Sequence, residues 1–260
     1  MQFARLLAIL IPVPLLLGAI NGPGSFHWTG KLPPGQVIEV KAVNGGIQAI
    51  PTDGDEVEVV AQKTGQFSDP SAVEVKVVEH ERGVTVCAVY PSIIKGDGAC
   101  QPGPEPPNLN GNDVQVDFLV RVPNGVRFIG RTVNGKVEAS RLNADAEAHS
   151  VNGDIRLSTR GAASAETVNG SIRAVMGKID DAAKFATVNG GITLDLARGT
   201  HAEVRARTVN GAISTNFPLV IRGRLVNKRA YGRIGGGGPE LNLNTVNGSI
   251  TLHQLCERAL

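Results

Sequence analysis

The sequence predicts an all-β chain, built as a β-solenoid of the β-helix or β-roll kind from repeated coils of strand, Asn-Gly corner and strand. Three observations lead to this prediction. The phrase Thr/Ala/Ser-Val-Asn-Gly-x-Ile/Val occurs seven times in 260 residues, it recurs at a nearly constant spacing, and β-branched residues alternate on both sides of it. A fixed phrase at a near-fixed period indicates a repeat architecture in which each repeat is one supersecondary unit.

The corners of the predicted coils are the Asn-Gly pairs. Their asparagines are Asn44, Asn134, Asn152, Asn169, Asn189, Asn210 and Asn247. Because Asn and Gly readily adopt positive φ, we expect the corner conformation to explain both residues. An amide both donates and accepts, so stacked asparagines can form a hydrogen-bonded ladder. We further expect the valine before each asparagine to be buried against the valine of the next coil.

An antiparallel meander is the competing architecture. Asn-Gly between alternating apolar runs is also a strong hairpin signal. A hairpin, however, constrains only its two turn residues, whereas here the residues before and after the pair are kept as well. This identity favours stacking of like on like and therefore the solenoid. A recurring turn without any stacking is the third interpretation.

The predicted organisation has four parts. Residues 1–19 are a signal peptide, 30–125 a less regular N-terminal part of the solenoid, 126–253 the regular repeat and 254–260 a tail. The irregular part contains period-two runs that predict strands at 37–43, 57–61, 73–78, 83–89 and 114–123. The long interval between the last two asparagines predicts either one longer coil or two coils with a lost corner.

The N-terminus resembles a secretory signal. Arg5 precedes an apolar run, Leu6 to Leu17, and the small residues Gly18 and Ala19 follow. The run is shorter than the roughly 20 residues that span a bilayer. We therefore expect export to the periplasm, the cell surface or the medium, with membrane attachment only through this segment if it stays uncleaved.

The sequence contains three cysteines, two of which are expected to form a disulfide after export. Cys87 and Cys100 bracket a segment rich in Pro and Gly, and a disulfide that closes it is expected after export. Such a bond contributes about 3 kcal/mol by the chain-entropy model. Cys256 is then predicted to be unpaired.

The charge of the chain limits the kinds of partner that it is expected to bind. With 26 basic and 24 acidic residues the chain has a net charge of +2, which argues against nucleic acid. The basic stretch from Arg222 to Arg233 is interpreted as a solvated loop. The expected partner is an envelope protein or a polysaccharide of unknown identity.

No constellation of catalytic, cofactor-binding or metal-binding residues is found in the sequence. The five histidines are scattered, and Asp180-Asp181 next to Lys178 and Lys184 is typical of a charged turn. Outward positions such as Thr193, Ser214 and Thr251 favour a polar ladder over proton transfer. The sequence therefore predicts a non-enzymatic protein that binds or scaffolds through a repetitive β surface. The alternative is a carbohydrate-active β-helix enzyme, either a polysaccharide lyase or a hydrolase.

Two phrases resemble a known family. One is Asp117 to Val126 followed by the corner at Asn134, and the other is Gly232 to Leu241 followed by the corner at Asn247. In their order and content they resemble the bacterial putative-adhesin family, domain of unknown function 4097, and more distantly the head domain of putative autotransporter adhesins. The resemblance covers residues 37 to 252. It implies an exported β-solenoid with an adhesin-like role and brings no catalytic residues.

Overall fold

The computed structural model describes residues 24–91, 100–104, 112–223 and 226–255. The predicted signal peptide and Cys256 lie outside these ranges. Apart from a 3-10 turn at Pro70–Ala72, the elements of the described residues are β-strands, so the all-β prediction is confirmed. No helix in this part of the chain is long and apolar enough to cross a membrane.

The strands before the regular repeat are β1 Ser25–Lys31, β2 Val37–Lys41, β3 Ile47–Thr52, β4 Glu56–Thr64, β5 Glu74–His80, β6 Gly83–Val89 and β7 Gln115–Pro123. The strands that follow are β8 Arg127–Arg131, β9 Val137–Leu142, β10 Ala146–His149, β11 Ile155–Thr159, β12 Ala163–Glu166, β13 Ile172–Met176, β14 Ala183–Asn189 and β15 Ile192–Leu196. The last strands are β16 Ala202–Asn210, β17 Ile213–Thr215, β18 Val220–Arg222, β19 Lys228–Ile234, β20 Glu240–Asn247 and β21 Ile250–Gln254.

The regular repeat alternates between two sheets. Strands β8, β10, β12 and β14 lie side by side in the first sheet, and β9, β11, β13 and β15 lie side by side in the second. Neighbours within each sheet are parallel, and like positions of the repeat are in register. The two strands that flank an Asn-Gly pair thus belong to different sheets. The antiparallel meander is therefore wrong, because its hairpins would pair such strands with each other.

The order of the coils in the stack departs from the order in the chain. The coil β20–β21 lies between β14–β15 and β16–β17. At the other end, β2–β3 lies between β6–β7 and β8–β9. Both predictions for the interval after Asn210 are wrong, because the chain passes through β18 and β19 and then returns to fill a place left in the stack.

Antiparallel strands cover the two ends of the stack. Strands β4 and β1 extend the second sheet beyond β7, and β5 extends the first beyond β6. At the far end, β19 and β18 lie antiparallel beyond β16. The N-terminal end of the stack is thus capped in both sheets, and the C-terminal end in the first sheet, while the second sheet ends with the parallel strand β17. Terminal caps of this kind are typical of repeat proteins.

The core lies between the two sheets. It contains a row of aliphatic side chains from the position after each corner, including Ile155, Ile172, Ile192 and Ile250, which are at most 1% exposed. Burial of each such side chain contributes about 1.5–3 kcal/mol. The same period-two alternation sends the intervening residues to the outer faces of the sheets.

Candidate functional site

The corner asparagines form a continuous ladder along one side of the stack. Each Nδ2 except that of Asn44 donates to the Oδ1 of the neighbouring corner asparagine over 2.8–2.9 Å, and Asn44 Nδ2 donates to the Asn112 carbonyl. The order is Asn44, Asn134, Asn152, Asn169, Asn189, Asn247 and Asn210. Each step is a neutral hydrogen bond that contributes about 0.5–1.5 kcal/mol.

The hydroxyl residue two places before each asparagine points inward. Thr132, Ser150, Thr167, Thr187, Thr208 and Thr245 are 0–6% exposed. Their hydroxyls donate to the carbonyl oxygen of a corner glycine in the neighbouring coil, over 2.8–3.0 Å. A buried hydroxyl needs such a partner. The carbonyls of the corner are thereby satisfied from inside the stack.

Four corner valines point outward, opposite to the prediction, whereas Val43 and Val133 are buried as predicted, at 2% and 8% exposed. Val151, Val168, Val188 and Val246 are 38–40% exposed. At these four corners the prediction is wrong, and the hydroxyl residue beside the valine takes the inward place. A row of methyl groups therefore runs beside the ladder on the outer surface.

The corner glycines are required by close packing rather than by their own conformation. Only Gly45 among them has φ in the left-handed region, at +126°. A Cβ added to Gly170 would lie 2.5 Å from the Gly153 carbonyl carbon and nearer still to its oxygen. The expected positive φ is thus wrong for the other six corners, where glycine lets adjacent coils approach.

An open groove of about 600 Å³ follows the valine row on the outer face of the first sheet. Val168, Val188 and Val246 form one wall, and Ala186 and Asn244 lie at its centre. The groove ends at His149 and Glu166 on one side and at Arg207 on the other. Its size is within the range of 300–1,000 Å³ that is typical of ligand sites.

Beyond the N-terminal end of the groove, a covered cluster of charges lies on the same face. Cys87 and Cys100 form a disulfide with a Cα–Cα distance of 5.6 Å. The segment 100–104 that it tethers covers Glu39 and Lys41, which are both 3% exposed. Gly103 N donates to Glu39 Oε2 over 3.1 Å, and Lys41 Nζ donates to the Gln101 carbonyl over 2.6 Å.

The cluster continues to the groove through one arginine. Arg131 Nε donates to Glu39 Oε1 at 2.8 Å, and its Nη2 donates to Glu147 Oε1 at 2.9 Å. His149 Nε2 lies 2.6 Å from the same Glu147 oxygen. The hydrogen bond with His149, aided by the charge of Arg131, holds the pKa of Glu147 below its ordinary value. This carboxylate is therefore ionised at neutral pH, with its Oε1 bound by both Arg131 and His149.

The other candidates for chemistry are dispersed. Asp180 pairs with Lys178, and Asp181 lies beside it in a shallow depression that Asp145 also lines. Asp145 accepts a hydrogen bond from Ala162 N at 3.0 Å. In the described ranges, no three His, Cys, Asp or Glu side chains lie together as a metal site would need.

A family model matches the same segment of the chain that contains the regular repeat. Residues 131–253 match the model of the Toastrack family, DUF4097. The match begins at Arg131, one residue before the second corner phrase, and contains six of the seven phrases. It agrees with the resemblance found in the sequence.

No curated protein matches the chain. Among crystal structures, a putative cell adhesion protein from Clostridium sporogenes aligns with 12% identity and a TM-score of 0.44, covering 89% of this chain and 100% of the other. A putative adhesin from Bacteroides fragilis aligns with 13% identity and a TM-score of 0.33, covering 89% and 97%. At these values the alignments carry no information on ligands.

Sequence reasoning missed the strands at the basic C-terminal end of the first sheet. The stretch interpreted as a solvated loop contains the end of β18 and all of β19 except its last residue, Ile234. Its loop interpretation is therefore wrong for those residues. The signal was present in the alternation of Arg229, Tyr231 and Arg233, which is the period of a strand with one outward face.

Proposed function

We propose that this chain is an exported, non-enzymatic envelope or cell-surface protein whose stacked coils, forming a β-solenoid, bind a partner or polysaccharide along the valine-lined groove. The observation that carries the proposal is the outward row of corner valines. A two-sheet stack can hide a valine at this position, as it hides Val43 and Val133. Regular exposure of apolar groups on a folded surface is typical of an interaction site.

The groove offers a mixture of contacts that suits an extended ligand. Valine methyls present apolar surface, and the Asn244 side chain and the corner amides present donors and acceptors at the strand spacing of about 4.8 Å. The backbone beside the corner is used between coils, as where Asn189 N donates to the Val168 carbonyl at 2.8 Å. Recognition would therefore depend on side chains, repeated along the long flat side of the stack.

Two features support binding without turnover. General acid catalysis needs a carboxyl group whose pKa is raised towards neutrality. Glu147, a carboxylate beside the groove, has its pKa moved downward by its hydrogen bond with His149. The neighbouring Glu166 is held by Lys184 Nζ at 3.0 Å. An adhesin-like role is part of the proposal, and the groove, rather than the structural alignments, supports it.

The test is capture of ligands by the mature protein on a glycan array and from envelope extract. The variant Val168→Lys/Val188→Lys places two charges in the groove wall. Ser158→Lys/Val175→Lys is the matched control, because these residues are paired neighbours on the outer face of the second sheet. Loss of the captured ligands with the first variant alone supports the proposal. Equal capture by both variants, or no capture by the wild type, contradicts it.

The enzyme alternative rests on the depression that Asp145, Asp180 and Asp181 line. Its test is turnover of bacterial and plant polysaccharides by the purified protein. Asp180→Asn/Asp181→Asn is the control. Turnover that this double substitution abolishes would replace the binding proposal with a hydrolase or lyase.

A further inference from the structure

Three arginines lie side by side at the C-terminal end of the first sheet. Arg207 on β16 is the cross-strand partner of Arg229 on β19, and Arg229 is the partner of Arg222 on β18. All three side chains are exposed. Like charges directly opposite each other on one face of a sheet are destabilising. The arrangement therefore carries an energetic cost that the fold itself does not require.

No carboxylate neutralises this row within the described ranges. The nearest acidic residues on the same face are engaged with other arginines: Glu240 with Arg205 at 2.7 Å and Glu203 with Arg233 at 3.2 Å. Arg222 lies over the Tyr231 ring at 5.3 Å. That contact fixes the direction of its guanidinium and leaves its charge without an anion.

The row continues the centre of the groove. In register across the sheet, Glu166 is followed by Ala186, Asn244 and Arg207, and then by Arg229 and Arg222. Five strand spacings of about 4.8 Å give this track a length of about 24 Å. Arg207 belongs to both the groove and the arginine row. A ligand lying along the groove thus reaches three cationic groups at its C-terminal end.

We infer that this track binds an acidic polysaccharide, with Arg207, Arg229 and Arg222 pairing with successive carboxylate or sulfate groups and the valine wall contacting the sugar ring faces. The inference rests on the proposed function and names its ligand class. A guanidinium pairs with a carboxylate through two parallel hydrogen bonds. The strand spacing presents these pairs at a regular interval along an extended chain.

Other polyanions fit less well. Single-stranded nucleic acid needs aromatic platforms for its bases, whereas the groove wall is aliphatic. An acidic peptide in extended form gains most of its affinity by adding a strand at a free sheet edge. The track instead crosses the face of the sheet, where the strands are already paired on both sides from β12 to β19.

The experiment measures binding of a short oligogalacturonate to the mature protein by calorimetry, with the fully methyl-esterified oligomer as the neutral probe. We expect binding of the acid form alone, and its loss near 1 M salt, where the screening length is about 3 Å. Arg207→Gln/Arg229→Gln should weaken binding by about tenfold or more, as expected for loss of hydrogen bonds to charged groups. Arg156→Gln/Arg173→Gln, an arginine pair in register on the second sheet, removes the same charge and should change binding less than about twofold.

A structural role for the arginines would give a different pattern. Because removal of opposed like charges relieves repulsion, Arg229→Gln should leave the melting temperature unchanged or raise it. Equal losses in both double variants, equal binding of the esterified oligomer, or equal binding of poly-L-glutamate or single-stranded DNA would overturn the inference. If the acidic-polysaccharide inference fails but the proposed function holds, neutral glycans or envelope proteins will still bind in the valine groove. The variant Val168→Lys/Val188→Lys will then still abolish their binding. If that variant has no effect either, the proposed function fails as well.

Discussion

Replacing a corner glycine by alanine should separate two adjacent coils. In Gly170→Ala the new Cβ lies 2.5 Å from the Gly153 carbonyl carbon, so the coils must move apart by roughly 1 Å to restore a contact of 3.5–4.0 Å. The inter-coil bonds that this movement stretches include three: Gly153 N to Asn169 O at 3.0 Å, Ile155 N to Ser171 O at 3.0 Å, and Asn169 Nδ2 to Asn152 Oδ1 at 2.8 Å. At about 1 kcal/mol each, their weakening lowers the free energy of unfolding by about 3 kcal/mol.

The assay is equilibrium unfolding in denaturant, with Gly46→Ala as the matched control. Gly46 occupies the next position of a corner, has no left-handed φ, and would place its Cβ 3.5 Å from the nearest atom, Asp117 Oδ1. The control should therefore change stability by less than about 0.5 kcal/mol. Equal small effects in both variants would refute close coil packing as the reason for the corner glycines.

Three further predictions concern the ladder, the disulfide and pH. Asn169→Asp replaces the donor to Asn152 Oδ1 by a carboxylate oxygen and should destabilise by about 1–3 kcal/mol; an unchanged melting temperature would count against the ladder. Mass spectrometry of the non-reduced, digested mature protein should find a Cys87–Cys100 link and an unpaired Cys256, and a link to Cys256 would contradict this. The lowered pKa of Glu147 stabilises the fold above its unfolded value of about 4.3, and this contribution is lost as pH falls through the folded pKa. Glu147→Gln should therefore flatten the acid limb of the stability profile, whereas an unchanged limb would show that this carboxylate contributes nothing.

Local pattern was enough to place most strands and the direction of their side chains. The inward rows that contain Ile155 and Ile172 follow from strict alternation, because a strand has a period of two. At the corners, alternation alone does not predict which side chain points inward. Alternation passing through the turn at Asn169 does not reveal whether Thr167 or Val168 turns inward, and the sequence interpretation chose the more apolar residue. Thr167 points inward because its hydroxyl donates a hydrogen bond to the Gly153 carbonyl inside the stack.

The order of the coils in the stack could not be predicted from the sequence. Asn210 and Asn247 are separated by 37 positions, and this interval contains no local signal that the later coil lies beside Asn189. That order depends on which edges of the stack remain open when the chain turns back. The arginine row was missed for the same reason, since the register of Arg207 with Arg229 exists only through the antiparallel pairing of β16 and β19.

The central claim is that the outer face beside the asparagine ladder binds a ligand and leaves it unchanged. Methyl NMR of the mature protein, titrated with the component captured from envelope extract or the array, tests this most directly. The account predicts shifts for Val168, Val188 and Val246 of the groove wall, none for outward-facing Val175 on the other sheet, and recovery of intact ligand. Shifts confined to Val175 or to the end strands, or recovery of a cleaved ligand, would contradict it.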